Sequence, residues 1–515
     1  MSGSNSIIVP GYPSTNRVPG VYAVVDASKA NTGTINQRTL IIGQQLSTAP
    51  AVSGVATLSA GVGDAQDNYG AGSLLAVMVE RYRALDLTGE VWCLPLGDAV
   101  SSTAASGSIA FAGTATQNGT VPVYVNGQLI GCPVNSGDTA VVVATNAVIA
   151  INGTTTAGGN PLTAIATSTS GTVTLTARNK GTLGNQGTIL LSFNGTAAGE
   201  GQPGTTNVAG ITATVVAFNG GATDPVLTAA LAALPEEPFD FIVVPFNDTQ
   251  SLNAIQAFLS DASGRWNWSV QKYGGAFTAK SGTLSARTTW STARNDQHTA
   301  AIGAFGSPSP DWHWATDFCA ASAVSLRADP TIPIGGLTQG VALNVVAPPA
   351  ADRDGYAARE TMLFDGISTY KVGADGTVYV DRAITTYQQN AAGSPDNSYL
   401  DLNVPYQLMA YIRILETMLG SNFNRVKLVS DGSRIPAGSQ MVTSQTILYA
   451  VIAQYQQIAN NGLPGAPVGL VQNAAQFALQ AQAQNAGGGV VTMLLPVQLG
   501  GQLIAIASNV QFTQP

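Results

Sequence analysis

The sequence predicts an α/β (α+β) core, interrupted by an inserted all-β domain of sandwich or barrel type and extended at both ends by β arms. Three observations carry this. A strand–helix–strand succession opens the chain and an α/β pattern resumes after residue 222. Between the two, residues 101–222 turn to Thr, Val, Gly, Ser and Ala, and the stretch 99–222 holds four charges, Asp138, Arg178, Lys180 and Glu200. The chain closes on QLIAIASNVQF (502–512), where Ile504, Ile506, Val510 and Phe512 alternate onto one face with no charge or proline. A bare apolar strand edge invites pairing with another chain, so this segment calls for a partner.

Residues 1–30 read as an extended arm. MSGSNSIIVPGYP has no basic region before an apolar run, so no signal peptide is expected. GVYAVVDAS (20–28) is β-prone behind Pro19–Gly20. The core's first part, 31–100, holds the buried strand RTLIIG, a helix over GSLLAVMVERYRALDL with Ser73 as N-cap, and the strand EVWCLPL. In the insert, 101–222, VPVYVNGQL, TAVVVATNAVIAI, GTVTLTAR and GTILLSFNG read as strands separated by Asn-Gly turns. The core then continues over 223–498. DPVLTAALAAL reads as a helix, FDFIVVPF as a buried strand and TQSLNAIQAFLSDAS as an amphipathic helix. Helices follow near 312–328 and 353–364, and a hairpin turns at Asp375–Gly376. Two longer helices, PYQLMAYIRILETML and SQTILYAVIAQYQQIAN, precede a Gln/Ala-rich helix over NAAQFALQAQAQNAG and the strand VVTMLLPVQL. Residues 499–515 form the closing arm.

Composition narrows the function classes. A chain of 515 residues can bury two to four domain cores. Acidic residues outnumber basic ones, 29 to 21, which disfavours nucleic acid as a partner. Charged residues make up 10% of the chain, against roughly 25% in an average soluble protein. Either the molecule is large and compact or much of its surface meets other subunits. Cys93, Cys132 and Cys319 are odd in number and widely spaced, as buried reduced thiols would be. The most apolar window, AVVVATNAVIAI, is too short to span a bilayer.

Chemistry-bearing patterns are sparse. The two histidines are His298, two residues from Asp296, and His313, between tryptophans; no G-x-S-x-G accompanies them. GGAFTAKS (274–281) approaches a phosphate loop, but Ala279 replaces the glycine before Lys280, and without it backbone amides cannot close on phosphate. No Cys or His spacing fits zinc, and GADGT lacks the ligand series of a calcium loop. WNW and DWHW fit core or interface aromatics. Catalytic, cofactor and metal residues are therefore all expected to be none. An enzyme reading would rest on His298, Asp296 or Lys280, and a binding-module reading would make the insert a decoration or glycan-binding unit.

A resemblance spans nearly the whole chain. VPGVYAVV, YGAGSLLAVMVERYRA, NGTVPVYVNGQLI, LTARNKGTLGNQG, YGGAFTAKSGTLSA, ARNDQHTAAIGA, FDGISTYKVGADGTVYVDRAITTYQ and VQNAAQFALQAQ follow in order. In these the sequence resembles the contractile tail sheath proteins of Mu-like bacteriophages. The resemblance implies a sheath core built from both ends of the chain, an outward-facing insert, and no cofactor. It implies hexameric rings stacked around a tail tube, with baseplate and tail terminator proteins as further partners and neither nucleic-acid contact nor membrane insertion. The location implied is the virion tail, after assembly in the host bacterial cytoplasm. A phage-derived bacteriocin or other injection device would carry the same signature. The resemblance also implies arms that add strands to neighbouring subunits. Val21, Tyr22, Ala23, Val24 and Val25 would form the N-terminal strand, and Leu503, Ile504, Ile506, Val510 and Phe512 the C-terminal one. Arg413, Arg425, Lys427 and Arg434 are candidates to face an acidic tube. Relatives usually carry charge in the C-terminal segment, yet residues 435–515 here have none. A lattice less sensitive to salt is the expected consequence.

Overall fold

The structure, a computed structural model, describes residues 37–511 except Ala437 and Val510. Strands β1 (Thr39–Gln44), β2 (Thr57–Leu58) and β3 (Val91–Leu96), with helices α1 (Val62–Tyr69) and α2 (Leu74–Leu85), make the first part of the core. β1 and β3 pair in parallel, Thr39 opposite Val91, so the expected βαβ unit is present. The Ser73 hydroxyl accepts the Ala76 amide at 3.1 Å and starts α2, which buries Leu75, Met78, Val79 and Tyr82.

The insert contributes β4 (Ser106–Gly113), β5 (Gly119–Val125), β6 (Gln128–Val134), α3 (Ala140–Gly153), β7 (Ala164–Thr169), β8 (Thr172–Ala177), β9 (Ile189–Leu191) and β10 (Ile211–Asn219). They form a four-stranded sheet, β10-β4-β8-β7, and a three-stranded sheet, β6-β5-β9, around an apolar core of their own. One expectation fails here: TAVVVATNAVIAI is the helix α3, so the insert is not all-β. Val143, Ala144, Ala147 and Ile151 fall on one helical stripe and are buried, so tertiary burial overrides the β preference of valine and isoleucine. α3 lies along the outer strands of both sheets. The Asn152 side chain donates to the Ala166 carbonyl (2.8 Å) and accepts its amide (2.9 Å), while Asn146 donates to the Pro133 carbonyl at 3.4 Å. The helix thereby covers edges that would otherwise lie open.

The core resumes with α4 (Leu227–Ala232), β11 (Phe241–Val243), α5 (Thr249–Leu259), β12 (Gly275–Ala279), α6 (Leu284–Thr292), β13 (Thr299–Ile302) and α7 (Asp311–Ala328). The six-stranded sheet runs β13-β12-β11-β1-β3-β2, with only β2 antiparallel. Its central strands are buried throughout, as a parallel sheet covered on both faces requires. α2 and α7 pack on each other and are tied by charge. Arg81 holds both Asp317 oxygens (3.1 and 2.6 Å), and Arg327 reaches Asp86 at 2.9 Å. Strand β14 (Ala342–Leu343), helix α8 (Tyr356–Phe364) and strands β15 (Thr369–Val372) and β16 (Val378–Arg382) follow, with the three strands ordered β14-β16-β15.

The last part comprises α9 (Asn403–Asn422), β17 (Lys427–Leu428), β18 (Met441–Val442), α10 (Ser444–Ala459), α11 (Ala474–Gln480), β19 (Gln482–Gly487) and β20 (Val490–Leu494). α9 belongs to two cores: Tyr406 and Met409 pack with the main sheet, and Tyr411, Ile414 and Leu415 pack with α10 and α11. A second expectation fails at its far end. The helix read over NAAQFALQAQAQNAG stops at Gln480, and QAQNAG is strand β19. The three glycines Gly487–Gly489 all have positive φ (83°, 61°, 84°), a turn that folds β19 back onto β20 and draws the preceding residues into a hairpin.

Candidate assembly interface

Open parallel sheets hold ligands beyond the carboxyl ends of their strands, where the strand order reverses. Here that point lies between β1 and β11, and the insert fills it. Gln44, ending β1, donates to Asp98 (2.9 Å) and to the Lys180 carbonyl (2.7 Å). Asn179 donates to the Gln45 carbonyl and accepts the Leu74 amide, both at 2.9 Å, and Asn160 accepts the Gly72 amide at 3.2 Å. At the start of α2, a natural anion site, the Leu74 amide is thus taken by the insert and the Ala76 amide by Ser73. The cavity left among Gln44, Asn179, Leu183 and Trp312 measures about 30 Å³, room for a water rather than a nucleotide.

The chemistry-bearing residues have structural duties. Lys280 follows β12, a fully buried core strand, so GGAFTAKS is not a loop at all. The Asp296 carboxylate accepts the His298 amide (3.0 Å) and the Thr299 hydroxyl (2.6 Å), shaping the turn into β13. His298 stacks on Trp266 and bonds Asp261 through Nε2 at 2.8 Å. His313 is buried on α7, where burial and then the Arg81 charge hold its pKa well below the ordinary histidine value. Burial pushes the thiols of Cys93 and Cys132 up to about 12, and all three cysteines are buried and unpaired. Among the described residues no His, Cys, Asp and Glu group could hold a metal ion, and no helix is long and apolar enough to cross a membrane.

What the chain does present is an open hairpin beside an arm that pairs with no strand among the described residues. Ala483 and Met493 pair across β19–β20 and pack inward on the third core, while Gln482, Gln484, Val490 and Leu494 face solvent. No strand flanks either outer edge among the described residues. The arm's root is pinned next to it. The Gln472 amide bonds the Gln498 carbonyl (2.9 Å) and the Gly500 amide bonds the Leu470 carbonyl (3.0 Å). The Tyr455 hydroxyl donates to the Gln472 carbonyl (2.8 Å) and accepts the Gln498 amide (3.1 Å), its ring stacked on Phe477 at 3.7 Å. A side chain at Gly500 would put its Cβ 2.1 Å from the Gly469 carbonyl oxygen, so only glycine passes there.

Beyond Gly500 the described residues 501–511 form no strand, and Leu503, Ile504 and Ile506 are 60, 40 and 71% exposed. Val510, Phe512 and Val21, Tyr22, Ala23, Val24 and Val25 lie outside the described residues. Of the four cations, Arg413 is corrected outright. Its guanidinium clamps both oxygens of the fully buried Asp240, at 2.7 and 2.8 Å, and is turned into the protein. A lone acid inside the apolar run FDFIVV was the signal that a cation had to face it. Arg425, Lys427 and Arg434 are exposed just past α9, with no ion pair among the described residues. Of the hairpin, strand β20 was read within VVTMLLPVQL, while β19 had no signal beyond the glycine triplet.

Comparison with known proteins agrees with this inventory. Residues 220–386, from α4 through the β15–β16 hairpin, match the phage tail sheath protein central domain. The Mu-like prophage FluMu tail sheath protein of Haemophilus influenzae is 34% identical over 461 residues, covering 89% of this chain and 90% of the relative. Among solved structures, a sheath tail protein from Desulfitobacterium hafniense aligns with a TM-score of 0.44 at 11% identity, covering 93% of this chain and 96% of that one. The anti-feeding prophage helical sheath in its contracted state aligns at 0.42 and 12% identity, covering 97% and 100%. The chain is a structural protein, not an enzyme, and belongs to the tail sheath protein family of Mu-like phages.

Proposed function

We propose that the chain is the repeating subunit of a contractile tail sheath, in which hexameric rings stack around a tail tube and shorten to drive it through the host envelope. The observation that carries this reading is the presence in one chain of a hairpin and an apolar arm that, among the described residues, have no flanking strand. Among the described residues no strand flanks either edge of the β19–β20 hairpin, and the sequence has two arms to add to them. Strand addition supplies main-chain hydrogen bonds while alternate side chains seat in the acceptor. Eleven residues of arm span about 36 Å at ~3.3 Å each, enough to reach a neighbour.

Contraction needs connections that survive large rearrangement. Arms that leave through Gly500–Gly501 can stay paired while rigid cores rotate and slide. The energy is then stored as the difference between two packings of one polymer, so no nucleotide site is required. Exposed Arg425, Lys427 and Arg434 are the cations that remain to face an acidic tube, with baseplate and terminator proteins capping the ends of the polymer.

Removing residues 502–515 tests the reading. The truncated subunit is expected to fold, with an unchanged circular dichroism spectrum, and to stay unpolymerised. Normal sheaths from that truncation would sink the arm exchange.

A further inference from the structure

The C-terminal arm does not hang free. Residues Gln502–Ile506 lie along a groove of about 530 Å³ walled by the 333–337 loop, α8 and the β15–β16 hairpin. Leu337, Tyr356 and Leu363 give it an apolar lip. Its floor is set by charge: Asp381 takes Arg359 at 2.6 Å and Lys371 at 2.5 Å, so these cations are spent within the subunit. What is left for an occupant is a mixed groove whose apolar lip and internally paired cations suit a chargeless segment such as QLIAI.

We infer that this groove is the resting seat of the subunit's own arm, occupied before assembly, and that vacating it is a required step of strand donation. The inference rests on the arm exchange proposed above. Three features fit a seat made to be left. The arm runs through it without strand pairing, so departure breaks no ladder. Leu503, Ile504 and Ile506 stay partly exposed, so only part of their apolar surface must be uncovered on leaving. The tether leaves through Gly500–Gly501, immediately beyond the pinned root. A neighbour's hairpin edge offers the backbone hydrogen bonds that the seat lacks, so transfer runs downhill once a neighbour is present. Until then the seat holds the arm against its own subunit, away from a neighbour's edge, and holds back unseeded association.

The full-length protein carrying both Leu337→Cys and Ile504→Cys tests this. Both sites are partly exposed, while Cys93, Cys132 and Cys319 are buried and will not compete. A short bismaleimide applied to the monomer should give an intramolecular link, and the linked protein should not polymerise, whereas each single-cysteine variant treated in the same way should. Absence of a link in the monomer, or linked protein that polymerises like the controls, would overturn the seat. Leu337→Asp, which changes the groove and leaves the arm intact, should shorten the lag before unseeded polymerisation, and an unchanged lag would count against the seat. The truncation at 502 separates the two ideas. A truncated protein that polymerises defeats arm exchange itself, while an inert truncation with no cis link defeats the seat alone.

Discussion

Asp240 sits at the edge of β11 with its side chain out of reach of water, and Arg413 on α9 holds both of its oxygens. Removing one partner of such a pair strands the other, so Arg413→Ala should cost about 3–5 kcal/mol in denaturant unfolding. Replacing both by apolar residues of similar volume should recover most of that loss. Composition and spacing could not reveal this pair, because it spans 173 positions; only the acid inside FDFIVV hinted at it. His313 makes a second residue-scale claim. Its folded pKa is depressed, so it is neutral in both states above the ordinary value of about 6.5. Below that, the unfolded chain takes up a proton that the folded one refuses, and stability falls by up to about 1.4 kcal/mol per pH unit. Thermal unfolding from pH 6.5 to 5.5 should therefore show a shallower fall for His313→Gln than for the parent. Parallel curves would refute the assignment. Other acidic groups shift stability too, but equally in both proteins.

At the scale of elements, strands covered on both faces and amphipathic helices were readable, because burial imposes a period on sequence. RTLIIG, EVWCLPL and FDFIVVPF became β1, β3 and β11, and Ser73 capped α2 as its position predicted. The misses occurred where a distant partner decided the outcome. α3 carries valine-rich sequence into a helix because two sheet edges need covering, and α11 yields to β19 because a glycine turn supplies a partner strand. The core strands GAFTA and TAAI went unread, being too short and rich in small residues to stand out. The insert-to-core junction was equally hidden, since it is made by scattered polar side chains, among them Gln44, Glu80, Asn160 and Asn179. Asn179→Ala would leave the buried Leu74 amide and Gln45 carbonyl without their partner. A loss of about 1–3 kcal/mol is expected, with amide exchange quickening at the start of α2. Exchange unchanged there would show that the junction is held by other contacts.

The described residues up to Gly500 form a closely packed body, followed by an arm that pairs with no strand among the described residues. A parallel sheet, an insert rooted in its switch-point crevice and a helix shared between two cores leave little to deform, while the described arm residues beyond Gly500 form no strand. Family membership was legible from motifs along the chain, whereas the acceptor hairpin was not, because an open edge is a property of pairing that no single segment records. The chargeless stretch 435–515 includes both that hairpin and the arm, so contacts between subunits would draw on Gln, Asn and apolar groups there. Polymer stability should accordingly change little between low and high salt, and a steep collapse as salt rises would contradict the chargeless interface. The central claim, that this chain assembles with copies of itself into a sheath, is tested most directly by electron microscopy of the purified full-length protein. The account predicts hollow helical tubes or stacked six-fold rings; a persistent monomer at high concentration would contradict it.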